Sequence, residues 1–145
     1  VENNLLGIVE LSATDSQEAS KIVTKLIDDF GLSKILNTKG RMLSGGQRRK
    51  VEIARTLISS PNLILLDEPF AGIDPIAVEE IKELLKEISK KDISILITDH
   101  NVRETLSLCD RAIILVDGNI IADGTEKQLK ENEYVGQKYF GKMFS

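Results

Sequence analysis

Tryptophan is absent from this 145-residue chain, cysteine and histidine occur once each, and proline three times. A single cysteine, Cys109, cannot close an internal bridge, which fits a reducing compartment and leaves no cysteine-based metal site. Apolar runs are too short to span a membrane, and Val1-Glu2-Asn3-Asn4 looks nothing like a signal peptide. Any membrane connection is therefore expected through a partner. An excess of positive charge is missing too: the formal charge is −4 and the pI near 5.1. A basic field is the usual means of neutralising phosphates, so no direct nucleic-acid partner is expected. Neither an internal repeat nor a low-complexity segment is visible. The most consequential absence is a G-x-x-x-x-G-K-[ST] loop to hold β- and γ-phosphates. Gly40 to Gly45 has its glycine spacing but continues with Gly46-Gln47, and a neutral Gln supplies no ammonium. Gly141-Lys142 is followed by Met143, with no strand before it.

What is there reads as an ordinary globular composition, 41% hydrophobic and 29% charged, with length enough for a core. Residues 16 to 30 set Ala19, Ile22, Val23, Leu26, Ile27 and Phe30 at helical spacing, closed by Gly31. After a short link from Ser33 to Arg41, Ser44 and Gln47 form an S-x-x-Q capping box. The helix it opens carries Val51, Ile53, Ala54, Leu57 and Ile58 inward and is broken by Pro61-Asn62. Leu63 to Leu66 is an unbroken apolar run, predicting a strand buried on both faces of a parallel sheet. Asp74-Pro75 caps the next helix, with Val78, Ile81, Leu85 and Ile88 as its inner stripe. Ser94 to Thr98 is a second strand, followed by a short helix from Val102 to Cys109. Ala112–Val116 and Asn119–Ala122 flank Asp117-Gly118, a two-residue hairpin turn, predicting an antiparallel edge on the sheet. Thr125 and Gln128 repeat the capping box, and Tyr134, Tyr139, Phe140 and Phe144 gather most of the aromatics in a tail. The order of elements is α/β.

Three places carry chemistry. The apolar strand ending in Asp67-Glu68 delivers two acids to the carboxyl edge of a sheet, where ligands bind. Asp67 suits Mg²⁺, directly or through water, and Glu68 suits the orientation and deprotonation of an attacking water. Taken alone, the motif equally fits two solvated turn acids. His100 follows a second apolar strand and could meet a γ-phosphate oxygen or steady that water; by itself, a structural or surface role is the commoner one. Ser44-Gly45-Gly46-Gln47 presents a hydroxyl, unobstructed N–H groups and a helix start, which together suit an anion. Arg48, Arg49 and Lys50 place positive charge where the helix dipole prefers acids, a hint of an anionic ligand. A capped helix with a solvated basic face is the better reading of that motif taken singly.

Together, Leu43-Ser44-Gly45-Gly46-Gln47, Leu63 to Pro69, Ala71-Gly72-Ile73-Asp74 and His100 resemble the signature, Walker B, D-loop and H-loop motifs of the ATP-binding cassette ATPases, in that family's order. The match is specific from Leu43 to His100 and weaker elsewhere. The resemblance implies a P-loop NTPase fold, present in part. Residues 1–60 would be a segment of the helical subdomain, and residues 61–145 the later strands of the catalytic core and a tail. It also implies two subunits sandwiching two ATPs head to tail, which explains half a site. Leu43, Ser44, Gly45, Gly46 and Gln47 would contact the opposite subunit's ATP, and Asp67 would serve Mg²⁺. Glu68 would be the base, His100 the γ-phosphate contact, and Asp74 a contact across the dimer.

Asp67 to Pro75, Thr98 to Thr105 and Tyr139-Phe140-Gly141 look most similar to the ATPase subunits of bacterial lipopolysaccharide-export transporters, with branched-chain amino-acid importer ATPases close behind. That implies a homodimer on two transmembrane subunits, peripheral at the cytoplasmic face of the inner membrane. The family's phosphate loop, adenine-stacking aromatic and glutamine loop are not found, and Val1 to Leu5 look like the segment just beyond the last of these. The chain is thus expected to be the C-terminal part of such an ATPase, inactive alone. A soluble cassette ATPase acting on nucleic acid or ribosomes and a non-catalytic assembly chain remain alternatives. Leu5 to Leu11 either line a groove for membrane partners or belong to the core.

Overall fold

A computed structural model of the protein describes residues 1–11 and 16–135. Its elements are α1 (Glu2–Leu11), α2 (Ser16–Asp29), α3 (Gly45–Leu57), β1 (Leu63–Asp67), α4 (Pro75–Ser89), β2 (Ser94–Thr98), α5 (Val102–Leu108), β3 (Ala112–Val116), β4 (Asn119–Gly124), α6 (Glu126–Glu131) and the single turn α7 (Glu133–Val135). The chain divides into two units, Val1–Thr98 and Asp99–Ser145.

In the first unit, α2 turns Val23 and Leu26 inward, with Phe30 buried just beyond its end, while Ile22 and Ile27 are half-buried. The side chain of Ala19 lies outside the described residues. Gly31, at φ +61°, ends the helix because a residue without Cβ takes the left-handed conformation at little cost. Its N–H donates to Asp28 O at 3.1 Å, and that of Leu32 to Ile27 O at 2.9 Å. Two 3-10 turns, Ser33–Ile35 and Gly40–Met42, make up the link to α3. α1 forms without any cap or breaker residue that would announce it. Leu5 and Val9, one turn apart, are 0% and 1% exposed, so these two belong to the core.

α3 begins on the expected capping box, and Val51, Ile53, Ala54 and Ile58 are buried with Leu57 half-buried. α4 begins on Asp74, whose carboxylate accepts the Ala77 N–H at 3.0 Å, with Pro75 in the first turn. Its stripe of Val78, Ile81, Leu85 and Ile88 is buried. Each such side chain contributes about 1.5–3 kcal/mol when fully removed from water.

β1 and β2 pair in parallel, Leu63 opposite Ser94 through Asp67 opposite Thr98. The burial expected on both faces is not found. Ile64 and Leu66 are buried and Ile95 and Ile97 half-buried, whereas Leu63, Leu65 and Leu96 on the other face are 53%, 68% and 56% exposed. A strand alternates its side chains between faces, and only one face of this two-stranded sheet is covered among the described residues.

In the second unit, Asn101 caps α5 through the Glu104 N–H at 3.4 Å, and Cys109 is the residue that ends the helix. β3 and β4 form the expected hairpin, with a register shift between Ile114 and Leu115. Asp117 and Gly118 both have positive φ, +48° and +76°, as a two-residue primed turn requires. Within this unit the hairpin forms its own antiparallel two-stranded ladder. Thr125 and Gln128 cap α6 reciprocally, and Leu106, Ile114, Leu129 and Val135 form the core. Tyr134 is 53% exposed; Tyr139, Phe140, Phe144 and the Gly141-Lys142 pair lie outside the described residues.

Candidate functional site

Leu43 is buried and anchors the turn into α3. Behind it, Ser44 Oγ accepts the Gln47 N–H at 3.2 Å, and Gln47 Oε1 accepts the Ser44 N–H at 3.1 Å. The two glycines between them serve packing as well as openness. A Cβ on Gly45 would stand 2.8 Å from Ile73 Cγ2 and 3.1 Å from Gly72 O, and one on Gly46 2.5 Å from Ala77 Cβ. The start of α3 therefore sits directly against the segment from Gly72 to Ala77, which carries Asp74. The basic cluster is not simply aimed at a ligand. Arg49 pairs with Glu52 at 2.9 Å and Lys50 with Glu80 on α4 at 2.8 Å, so two of its three cations are matched within the chain. Arg48 is exposed, and α3 has no acid in its first turn.

Asp67 ends β1 on the uncovered face, and Thr98 Oγ1 donates a short hydrogen bond to its Oδ1. This bond fixes the carboxylate at the carboxyl edge of the sheet. Glu68 comes next with φ +44°, a left-handed backbone that a non-glycine residue takes only when its surroundings hold it there. The holding contacts are visible: its N–H donates to Thr98 O at 2.7 Å, and its carbonyl accepts from Ala71 N at 3.2 Å and from Arg49 Nη2 at 3.2 Å. Pro69 and Phe70 are buried just beyond, while the Glu68 side chain is exposed. Among the described residues no three His, Cys, Asp or Glu gather as a metal cage. One positioned carboxylate still suits Mg²⁺, a hard cation that keeps waters and shares phosphate oxygens rather than requiring an all-protein shell.

Leu43 to Gln47, Asp67, Glu68 and Asp74 all lie in the first unit. His100 belongs to the second unit. Its side chain is 74% exposed and its Nδ1 lies 3.9 Å from Asp99 Oδ1, which also accepts the Asn101 N–H at 2.8 Å. It occupies the turn entering α5, past the end of β2, as the sequence predicted.

Two residues here have site contacts that no sequence signal announces. Thr98 is a plain strand end along the chain, and only the register shows that it faces Asp67. Arg49 is one member of a charge cluster, and no spacing signals that it reaches the Glu68 carbonyl. Outside the site, burial, with Asp110 adding to it, pushes the Cys109 thiol up, which leaves it little thiolate for nucleophilic chemistry.

Residues 1–71 match the family described as ABC transporter. Curated relatives include the lipopolysaccharide export system ATP-binding proteins LptB of Haemophilus influenzae, 47% identical over 99% of this chain and 60% of its own, and of Escherichia coli K12, 41% identical over 99% and 60%. The chain spans about 60% of the length of these relatives. Among solved structures, the ADP conformation of MJ1267, an ATP-binding cassette of an ABC transporter, is 29% identical with a TM-score of 0.77, covering 96% of this chain and 61% of that one. CbiO1 of Clostridium perfringens, part of the ABC transporter complex cbiONQ, is 30% identical with a TM-score of 0.76 over 90% and 54%.

Proposed function

This chain belongs to the ABC transporter ATPase family, and from that premise we propose that it is the C-terminal part of an ATP-hydrolysing subunit that powers lipopolysaccharide export. The observation that carries the reading is the identity of 41–47% to lipopolysaccharide-export ATP-binding proteins over 99% of the chain. In this reading residues 1–60 belong to the helical subdomain and residues 61–145 to the catalytic core. The subunit forms a homodimer on two transmembrane subunits at the cytoplasmic face of the inner membrane. Among the described residues no helix is long and apolar enough to cross a membrane.

The residues divide the work between two nucleotides. Ser44, Gly45, Gly46 and Gln47, with Leu43 anchoring them, offer the α3 N-terminus to the γ-phosphate of an ATP held by the partner's phosphate loop. Asp67, its Oδ1 fixed by Thr98, would hold Mg²⁺ directly or through water. That ion would neutralise charge building on the phosphate oxygens. Glu68 accepts the proton of the attacking water, and His100 contacts a γ-phosphate. Asp74 contacts the partner across the dimer.

The test compares Mg-ATP turnover by the ATPase that carries this segment together with a phosphate loop, by its Glu68→Gln variant, and by the 145-residue chain alone. Glu68→Gln is expected to lower kcat by roughly 10²–10⁴-fold while ATP still binds, and the chain alone should bind and hydrolyse none. Full turnover in Glu68→Gln would remove the base assignment; turnover by the chain alone would remove the half-site reading. Restoring lipopolysaccharide to the surface of cells depleted of their own export ATPase tests the cargo.

A further inference from the structure

Arg49 stands on α3, one turn past the glycines, yet its guanidinium ends on another element. Nη1 is tied to Glu52 Oε2 at 2.9 Å, one turn along the same helix, and Nη2 donates to the Glu68 carbonyl at 3.2 Å. The Glu52 bond fixes the direction of the long side chain, and Arg49 is only 26% exposed there. At the receiving end, the Glu68 backbone is in the left-handed region. A conformation of this kind is unfavourable for a residue with a Cβ and persists only where neighbours over-determine it.

We propose that Arg49 is a positioning residue for Glu68. Resting on the reading of Glu68 as the base, the inference gives the direction of that carboxylate a specific keeper. The N–H side of Glu68 is held by Thr98 on β2, and the carbonyl side by Arg49 on α3 and Ala71 in the following loop. Rotation about the flanking peptides would swing the carboxylate away from its water, and the guanidinium bond opposes that rotation. A charge-assisted bond to a carbonyl is about twice as strong as a neutral one. The same side chain rides on the helix whose first turn carries Ser44, Gly45 and Gly46. A shift of α3 when that turn meets a phosphate is therefore delivered to the carbonyl of the base that serves the other nucleotide. In this assignment Arg49 acts through the Glu68 backbone, by the bond to its carbonyl.

The experiment uses the ATPase that contains both this segment and a phosphate loop, and measures kcat and KM for Mg-ATP together with thermal unfolding. Arg49→Ala is expected to lower kcat about ten- to a hundredfold, the scale of a misplaced catalytic group, with KM within about twofold on the same argument. Arg49→Lys and Arg49→Gln, which keep a donor, should recover part of the loss. In the Glu68→Gln background, Arg49→Ala should cost nothing further, because the group it positions is gone. A raised KM with unchanged kcat would overturn the proposal in favour of a grip on nucleotide through α3. An equal loss with and without the Glu68 carboxylate would overturn it too. Should Arg49→Ala fail to fold, Glu52→Gln, which loosens the same guanidinium from the helix surface, is expected to lower kcat in the same sense; full kcat there would sink the idea. If instead Glu68→Gln itself retains turnover, it is the base assignment that fails, a result distinct from all of these.

Discussion

Two helices in this chain open on the same device. Ser44 and Gln47 cap α3, and Thr125 and Gln128 cap α6, each with the hydroxyl accepting a backbone N–H and the Gln side chain accepting the N–H of the cap. The first turns beyond the two caps differ. α6 places Glu126 there, satisfying the dipole from within. α3 has Gly45 and Gly46 in that place, no acid, and then Arg48. The cap is thus a folding signal common to both. Openness and the absence of an acid in the first turn are what distinguish the start of α3 from that of α6, and on them the proposed anion contact rests.

The sharpest way to break this comparison is to add a methyl at each start. Gly46→Ala would drive its Cβ to 2.5 Å from Ala77 Cβ on α4, whereas Gly124→Ala, just ahead of Thr125, meets the flexible Gln128 side chain at 2.8 Å. Overpacking against a fixed neighbour is expected to cost Gly46→Ala about 1–3 kcal/mol in denaturant unfolding, whereas Gly124→Ala is strained by its backbone at φ +159°. Only the Gly46→Ala loss should be recovered by Ala77→Gly, and no recovery would show that Gly46 has no special packing role.

Removing the caps comes next. Ser44→Ala and Thr125→Ala should each lower stability by about 1 kcal/mol, but only Ser44→Ala should also weaken ATP turnover in the phosphate-loop-containing ATPase. Equal effects on turnover would erase the distinction between the two starts. A smaller and more pointed change is Arg48→Glu. Supplying α3 with the acid that α6 already has should raise its stability by about 0.3–1 kcal/mol through the dipole while lowering turnover, because a negative charge then faces the phosphate. A gain in both would mean that no anion meets this turn.

The smallest effect concerns the flank of α6. Arg111 grips Asp123 through both carboxylate oxygens, with Nε to Oδ1 at 2.7 Å, and this hydrogen bonding holds the Asp123 carboxyl below the usual carboxylate range. A depressed folded-state pKa stabilises above the unfolded value and is lost as pH falls through the folded one. The hairpin should therefore loosen slightly on acidification below about pH 4. In Arg111→Leu, a carbon-detected NMR titration should find Asp123 moved up towards the ordinary value. An unchanged midpoint would show that the pair does not persist in solution.

Much of the first unit is legible in the residues because the signals are local. The Ser44–Gln47 capping box, Gly31, Asp74-Pro75 and the stripe Val78-Ile81-Leu85-Ile88 act within one or two turns, and each stands where its chemistry put it. Asp67 and Glu68 are legible for the same reason, at the end of an apolar run. The exposed face of Leu63, Leu65 and Leu96 is not, since an unbroken apolar run says that a strand can be covered on both sides and not what covers it. Nor are the contacts of Thr98 with Asp67 and of Arg49 with Glu68. The first depends on strand register and the second on the packing of α3, and neither leaves a mark in spacing along the chain.

The parallel register has one further consequence. Asp67 lies opposite Thr98, and a strand that slips by a single residue turns every side chain to the other face. Such a slip in β1 would send Asp67 toward the covered side, expose Leu66, and turn Leu65 inward instead. Hydrophobic burial therefore proofreads the placement of the acid during folding: the misregistered chain exchanges Ile64 and Leu66 for Leu63 and Leu65 in its core and must bury a carboxylate to do so. A residue that contributes nothing to the core is kept in place by its immediate neighbour in sequence, which contributes a great deal.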